Sequence, residues 1–193
     1  MDLSSLPPLP AGRLLGITGA PGAGKSTLAA ALVAAHGLAV VPMDGFHYAD
    51  VELERRGLRA SKGAPDTFDA PGYAALLARV ARREVDVVAP AFERDLEQPL
   101  AGALWVPAEG LVVTEGNYLL LDEPRWAAAR AHLDEVWHVR VPDDLRRERL
   151  VARHVSFGKT PAEARAWVAR VDEPNAERVE AAAHRADRII ALD

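Results

Sequence analysis

The stretch Gly19-Ala20-Pro21-Gly22-Ala23-Gly24-Lys25-Ser26 decides the fold of this chain, because it fits GxxxxGK[ST] and its surroundings fit as well. Leu14 to Thr18, just before it, form a short and largely apolar run after a Pro-rich segment, which predicts a buried strand. Thr27 to Ala35, just after it, are rich in Ala and Leu and predict a helix. Strand, glycine loop and helix in this order make a cradle for the phosphates of a nucleoside triphosphate. Gly19, Gly22 and Gly24 permit backbone angles and a close phosphate approach that a Cβ would block. The run Gly19, Ala20, Gly22, Ala23, Gly24, Lys25, Ser26 and Thr27 is therefore the expected nucleotide-binding set, helped by the positive end of the helix dipole. Lys25 is expected on the β- and γ-oxygens, and the Ser26 hydroxyl on Mg²⁺. A plain Gly/Ala turn would give no reason for Lys then Ser at these places.

At 193 residues the chain suits a single α/β domain spanning 1–193, with 1–11 as a flexible arm and about 143–160 as a lid. Cysteine is absent, which excludes a disulfide framework, a thiolate metal site and a thiol nucleophile. The net charge of −5, from 28 acidic and 23 basic residues, argues against bulk attraction to nucleic acid or an anionic membrane. Only Lys25, Lys62 and Lys159 are lysines, so arginine dominates any phosphate recognition. The start, MDLSSLPPLPAG, has no basic-then-apolar signal, and no run of about 18 apolar residues occurs further along. A cytoplasmic protein is expected.

Past the first helix, Leu38 to Met43 predicts a second buried strand ending at Asp44, while Val51 to Asp69 has no clear pattern. Pro71 to Arg83 carries Tyr73, Leu76, Leu77 and Val80 at helical spacing. Val85 to Ala89 is apolar enough for a strand, and Leu111 to Thr114, with Glu115 next, has the form of a core parallel strand. Helix over Pro124 to His132, strand over Val136 to Val141, helix over Asp143 to His154 and a closing strand over Arg188 to Leu192 complete the alternation. Thr160, Pro161 and Glu163 start a further helix with a capping signature, and Pro174 should interrupt or kink the winding beyond it. Alternating strands and helices imply a doubly wound parallel sheet, with ligands outside the carboxyl ends of the strands.

That rule selects the phosphate loop, Asp44 and Glu115, which should converge on one crevice. A carboxylate at Asp44 suits the orientation and deprotonation of an attacking hydroxyl. Glu115 stands where an acid organises Mg²⁺ and its waters. Arg146, Arg149 and Arg153 fall at i, i+3 and i+7, a stripe able to close over phosphates, with Arg149 and Arg153 preferred. Arg94 comes after a strand-like run and is a candidate for holding a polar substrate, and His47 lies close to Asp44 in sequence. No HExxH or paired-histidine site occurs, so Mg²⁺ is the one metal invoked.

Assembled, these segments resemble the P-loop small-molecule kinases that include uridine kinase, phosphoribulokinase and bacterial pantothenate kinase. The likeness is closest to the nucleoside/nucleotide kinase-like branch, with its fructose transport system kinases. It rests on GITGAPGAGKSTLA, MDGFHY, KGAPDTFD, PAFERDLEQP, VVTEGNYLLLDEPRW, RLVARH and DEPNAERV, in that order. The resemblance implies ATP and Mg²⁺, a helical lid bearing arginine, and transfer of the γ-phosphate to a small hydroxyl-bearing substrate, with no nucleic acid or membrane partner and room for a homodimer. Carried onto matching positions, it makes Asp44 the base and Arg149 or Arg153 a lid residue. It places substrate contacts near Asp44, His47, Asp69, Arg94 and Tyr118. After Phe92 the chain reads Glu93, Arg94, Asp95, unlike the uridine kinase pattern DFxxHxR, which argues against a pyrimidine nucleoside. A nucleotide-dependent regulatory module on the same fold is the alternative. Its GTPase form lacks an NKxD motif, since Asn117 and Asn175 are the only asparagines and neither precedes lysine.

Overall fold

The computed structural model describes residues 6–192, so the first five residues of the expected arm lie outside it. The elements run β1 (Leu14–Thr18), α1 (Lys25–His36), β2 (Ala39–Pro42), α2 (Asp50–Arg55), α3 (Ala70–Ala81), β3 (Val87–Glu93), β4 (Gln98–Val106), β5 (Val112–Glu115) and α4 (Pro124–Arg130). The chain continues with β6 (Glu135–Arg140), α5 (Asp143–Ser156), α6 (Pro161–Trp167), α7 (Glu173–Ala181) and β7 (Arg188–Ala191). Five strands form a parallel sheet in the order β2-β5-β1-β6-β7. The chain builds the β2 and β5 side of β1 before crossing to β6 and β7, so the strand order reverses at β1. Ligands bind at such a reversal, outside the carboxyl ends of the strands.

Strand alternation sorts the core into two layers. Leu14, Val112 and Val136 face α3, α4 and Val179 of α7, whereas Leu15, Ile17, Val113, Trp137 and Val139 face Leu28, Ala29 and Leu32 of α1. Leu6 and Leu9 pack against the α1-side layer, so that part of the expected flexible arm is seated on the core. The physical reason is their apolar character at a spacing of three, which covers surface the sheet would otherwise expose.

Two other expectations need correction. The strand expected over Val85 to Ala89 begins at Val87 and lies outside the parallel sheet, pairing antiparallel with β4 as a hairpin (Val87 with Val106, Glu93 with Gln98). Val87 and Ala89 are buried while Val88 is exposed, the pattern of a ribbon covered on one face. By contrast β1 and β5 are buried throughout. The unpatterned stretch Val51 to Asp69 holds all of α2 but its first residue, and two short 3-10 turns. The capping box at α6 forms as expected, Glu163 Oε2 accepting from Thr160 N at 2.8 Å and Thr160 Oγ1 from Glu163 N at 3.3 Å. Pro174 sits in the first turn of α7, directly after a π turn at Val168–Asp172. With no N–H to offer the carbonyl four residues back, it ends regular winding where the helix widens. No helix among the described residues is long and apolar enough to cross a membrane.

Arg13, unremarkable in the sequence, is buried and staples the edge of the first layer. Its Nε donates to the Val80 carbonyl at 3.1 Å and its Nη1 to the Glu109 carbonyl at 3.1 Å, with further bonds to the Gly110 and Pro107 carbonyls. Arg13→Met would leave these acceptors without their donor and should cost about 2–4 kcal/mol. The check is urea denaturation, where the midpoint should fall with the slope unchanged.

Candidate active site

Because β2, β5 and β1 are neighbours, the loops after them open onto one crevice. The phosphate loop holds Gly22 at φ 82° and Gly24 at φ 91°, a left-handed geometry that aims successive amides inward. Gly22 has a second reason to be glycine. A Cβ there would meet the Arg146 carbonyl oxygen at 2.8 Å and Leu150 Cγ at 2.9 Å, so α5 can lie on the loop only if that position is bare.

Lys25 opens α1 and is 7% exposed, with Nζ donating to the Ala20 carbonyl at 3.0 Å. Burial lowers its pKa to about 8, opposed by the carboxylates of Glu115 and Asp44. The Ser26 hydroxyl donates to Glu115 Oε1 at 3.3 Å. Glu115 is 8% exposed, and burial, reinforced by the nearby Asp44 carboxylate, raises its pKa to about 7. A buried carboxylate held up in this way, with a hydroxyl on it and a second acid in electrostatic reach, is an oxygen donor set suited to a hard divalent cation. Ser26 and Glu115 thus fit Mg²⁺. Among the described residues no group of three or more histidines, cysteines or acids is placed to hold a metal ion.

Asp44 lies in the turn Met43–Phe46 directly after β2, and its Oδ2 accepts from Arg94 Nη2 at 3.1 Å. Arg94 comes from the β3–β4 turn, so the hairpin that left the main sheet returns a cation to the crevice. The two backbones meet closely at Gly45, where a Cβ would lie 2.3 Å from the Pro90 carbonyl oxygen. His47 Nδ1 is 2.9 Å from the Asp44 carbonyl, and its ring lies 3.9 Å from Phe68 and 4.9 Å from Phe92, centroid to centroid. Burial moves the imidazole pKa below its ordinary value.

Two cavities adjoin here, of about 550 and about 520 Å³. Gly22, Lys25, Ser26, Arg94, Arg153 and Phe157 line both, and so mark the junction. The first continues past Gly24, Thr27 and Arg149 toward Leu150 and Leu192. The second holds Asp44, His47, Glu115, Phe68, Phe92, Trp167, Asp172 and Asn175. The arginine stripe of α5 is divided in function. Arg146, 3% exposed, is tied to Glu173 at 2.6 Å and Asp143 at 3.2 Å, while Arg149 and Arg153 reach the cavities.

Two of the expected substrate contacts are elsewhere. Asp69 caps α3, its Oδ1 accepting from Gly72 N at 3.0 Å, and Tyr118 is fully buried with its hydroxyl on the Gly63 carbonyl. Neither lines the second cavity. An Asp before Ala-Pro-Gly is used as a helix cap, and an aromatic just past a buried strand is drawn into the core. Residues that the sequence did not single out include Lys62, Phe92, His154, Lys159, Trp167, Asp172 and Asn175, all on the second cavity. Lys62 lies in KGAPDTFD, and Asp172 and Asn175 in DEPNAERV, so two of the family-like segments already carried the signal.

A family model described as an AAA domain matches residues 15–166. A solved structure described as a "putative fructose transport system kinase" from Silicibacter sp. TM1040 superimposes with a TM-score of 0.84 at 40% identity, covering 97% of this chain and 94% of its own. The chain belongs to the P-loop small-molecule kinases. The "Uncharacterized protein YggC" of Escherichia coli is 37% identical over 179 residues, 89% of this chain and 74% of that protein. The "Putative uridine kinase C227.14" of Schizosaccharomyces pombe is 36% identical over 159 residues, 75% of this chain and 67% of that protein.

Gly22→Ala should weaken Mg-ATP binding about tenfold or more, because strain at φ 82° adds to the collision with α5. Titration calorimetry with Mg-ATP checks this, and unchanged affinity would remove the argument that α5 must seat on the loop.

Proposed function

We propose that the chain transfers the γ-phosphate of ATP to a hydroxyl group of a small metabolite, with Asp44 as the base. One observation carries the reading: the phosphate loop lies at the junction of two cavities, while Asp44 lines only the one beyond it. Nucleotide on one side and acceptor on the other would bring their reacting atoms together between Lys25 and Asp44.

Bound Mg-ATP supplies the electrophilic phosphorus and a metal charge spread over its phosphate oxygens. The chain does the rest. Loop amides and Lys25 bind the phosphates, and Ser26 with Glu115 would hold the cation. Asp44 orients the acceptor hydroxyl and takes its proton as the new oxygen–phosphorus bond forms and the bond to the leaving ADP oxygen breaks. Arg94 steadies the Asp44 carboxylate through Oδ2, and Arg153 at the junction offsets charge on the moving phosphoryl group. Helix α5, seated on Gly22, keeps water from competing with the acceptor.

Asp44→Asn should lower turnover by about 10²–10⁴-fold with nucleotide affinity nearly unchanged. Lys25→Ala should damage nucleotide binding and turnover together. Acceptor-dependent ADP release and titration calorimetry separate the two effects. Full phosphoryl transfer by Asp44→Asn would remove the assigned base. ATP turnover that ignores every small acceptor and responds to a macromolecule would favour a regulatory module instead.

A further inference from the structure

We propose, resting on the kinase reading above, that the acceptor carries an acidic group, a carboxylate or a phosphate monoester, and that Lys159 receives it. The lysines and arginines on the second cavity are Lys25, Arg59, Lys62, Arg94, Arg153 and Lys159. Lys25 is bound to its own loop and drawn to Glu115. Arg59 and Lys62 each hold Asp50 at 2.8 Å, and Arg94 holds Asp44. Arg153 lines both cavities and so serves the transferred phosphate. Lys159 lines the second cavity alone.

Among the described residues no carboxylate forms an ion pair with Lys159. Its ammonium lies 4.9 Å from the centroid of the Trp167 ring, which fixes it in place without neutralising it. Glu163 acts on Lys159 through its charge without forming an ion pair, and its hydrogen bonds, like those of Asp172, are made elsewhere. Glu163 is folded back on Thr160, its Oε2 accepting from Thr160 N at 2.8 Å and Oγ1 at 2.7 Å, and Asp172 is paired with His154 Nε2 at 2.8 Å. The hairpin-turn acids on the same cavity belong to another element, with Glu97 Oε2 placed 3.9 Å from Lys62 and Asp95 exposed. A neutral acceptor would offer this ammonium a hydroxyl oxygen but no opposite charge. An acid group would form a hydrogen bond between two opposite charges and neutralise the ammonium as well.

The site therefore has two polar ends for one molecule, a hydroxyl directed to Asp44 and an acid group to Lys159. Phe68, Phe92 and Trp167 line the same cavity and offer apolar contact there.

The test measures acceptor-dependent ADP formation with matched pairs: gluconate and glucose 6-phosphate against glucose, glycerate and glycerol 3-phosphate against glycerol, and pantothenate against its alcohol. Each is run on the full chain and on Lys159→Ala and Lys159→Arg. The expected result is at least a tenfold preference in kcat/KM for an acidic member, lost in Lys159→Ala through KM and largely restored by Lys159→Arg. Comparing the carboxylates with the phosphates identifies which acid is taken. Nucleotide affinity by calorimetry and the melting temperature control for folding. A neutral compound used as well as its acidic partner, or a preference that survives Lys159→Ala, overturns the inference while the kinase reading stands. No phosphoryl transfer to any member of the panel counts against the kinase reading, and the inference falls with it.

Discussion

The charge packed at the carboxyl ends of three adjacent strands is the constraint on which the rest of the structure depends. Lys25, Glu115 and Asp44 come from the loops and ends after β1, β5 and β2, and the first two are almost wholly out of water. Burial pushes the Lys25 pKa down and the Glu115 pKa up, each away from the charged form. Such groups are held together by a firm backbone, because β1 and β5 carry ladders on both sides and β2, at the edge, is laddered to β5. A nucleotide with its cation would complete the set by bringing charges the protein itself lacks. A folded scaffold tolerates this burial of charge because the layers above and below the sheet supply the stability.

The same constraint explains why the fold was legible. A glycine loop with Lys-Ser at its end is readable because each residue has one local task, and buried strands such as Leu14–Thr18 need only be apolar and short. Strand ends then located Asp44 and Glu115 without any knowledge of the loops between them. Tertiary use of a side chain was less legible. Asp69 and Tyr118 have the chemistry of substrate contacts, but a helix start claims the first and the core the second. The hairpin of β3 and β4 was hidden for a similar reason. A five-residue apolar run looks alike in a parallel core strand and in a one-faced ribbon, and the distinction lies in whether a partner covers the second face.

Arg94 and Arg13 show how such peripheral pieces acquire roles. The hairpin contributes no strand to the sheet, yet its turn places a guanidinium on Asp44, and its backbone presses so closely on Gly45 that no side chain fits there. Arg13 is a cation spent wholly on backbone carbonyls, from the end of α3 to the turn before β5. Local sequence encodes neither interaction, since each joins segments far apart in the chain, 50 residues for Arg94 with Asp44 and 67 for Arg13 with Val80.

Helix α5 and the turn after it carry this reasoning one step further. Arg146 is locked to Glu173 and lies against the phosphate loop, Arg149 faces the nucleotide side, Arg153 stands at the junction, and Lys159 lies beyond it. In the proposed reading the last three of these cations run, in chain order, from the nucleotide cavity to the acceptor cavity. Arg146 is an anchor and not a reagent, because its partners are already built into the fold. The spacing i, i+3, i+7 that suggested a single functional stripe is therefore divided by burial, and a helix pinned at its start presents the remaining charges at fixed stations. A helix seated in this way, with glycine beneath it at position 22, holds Arg149 and Arg153 at fixed positions relative to the phosphate loop.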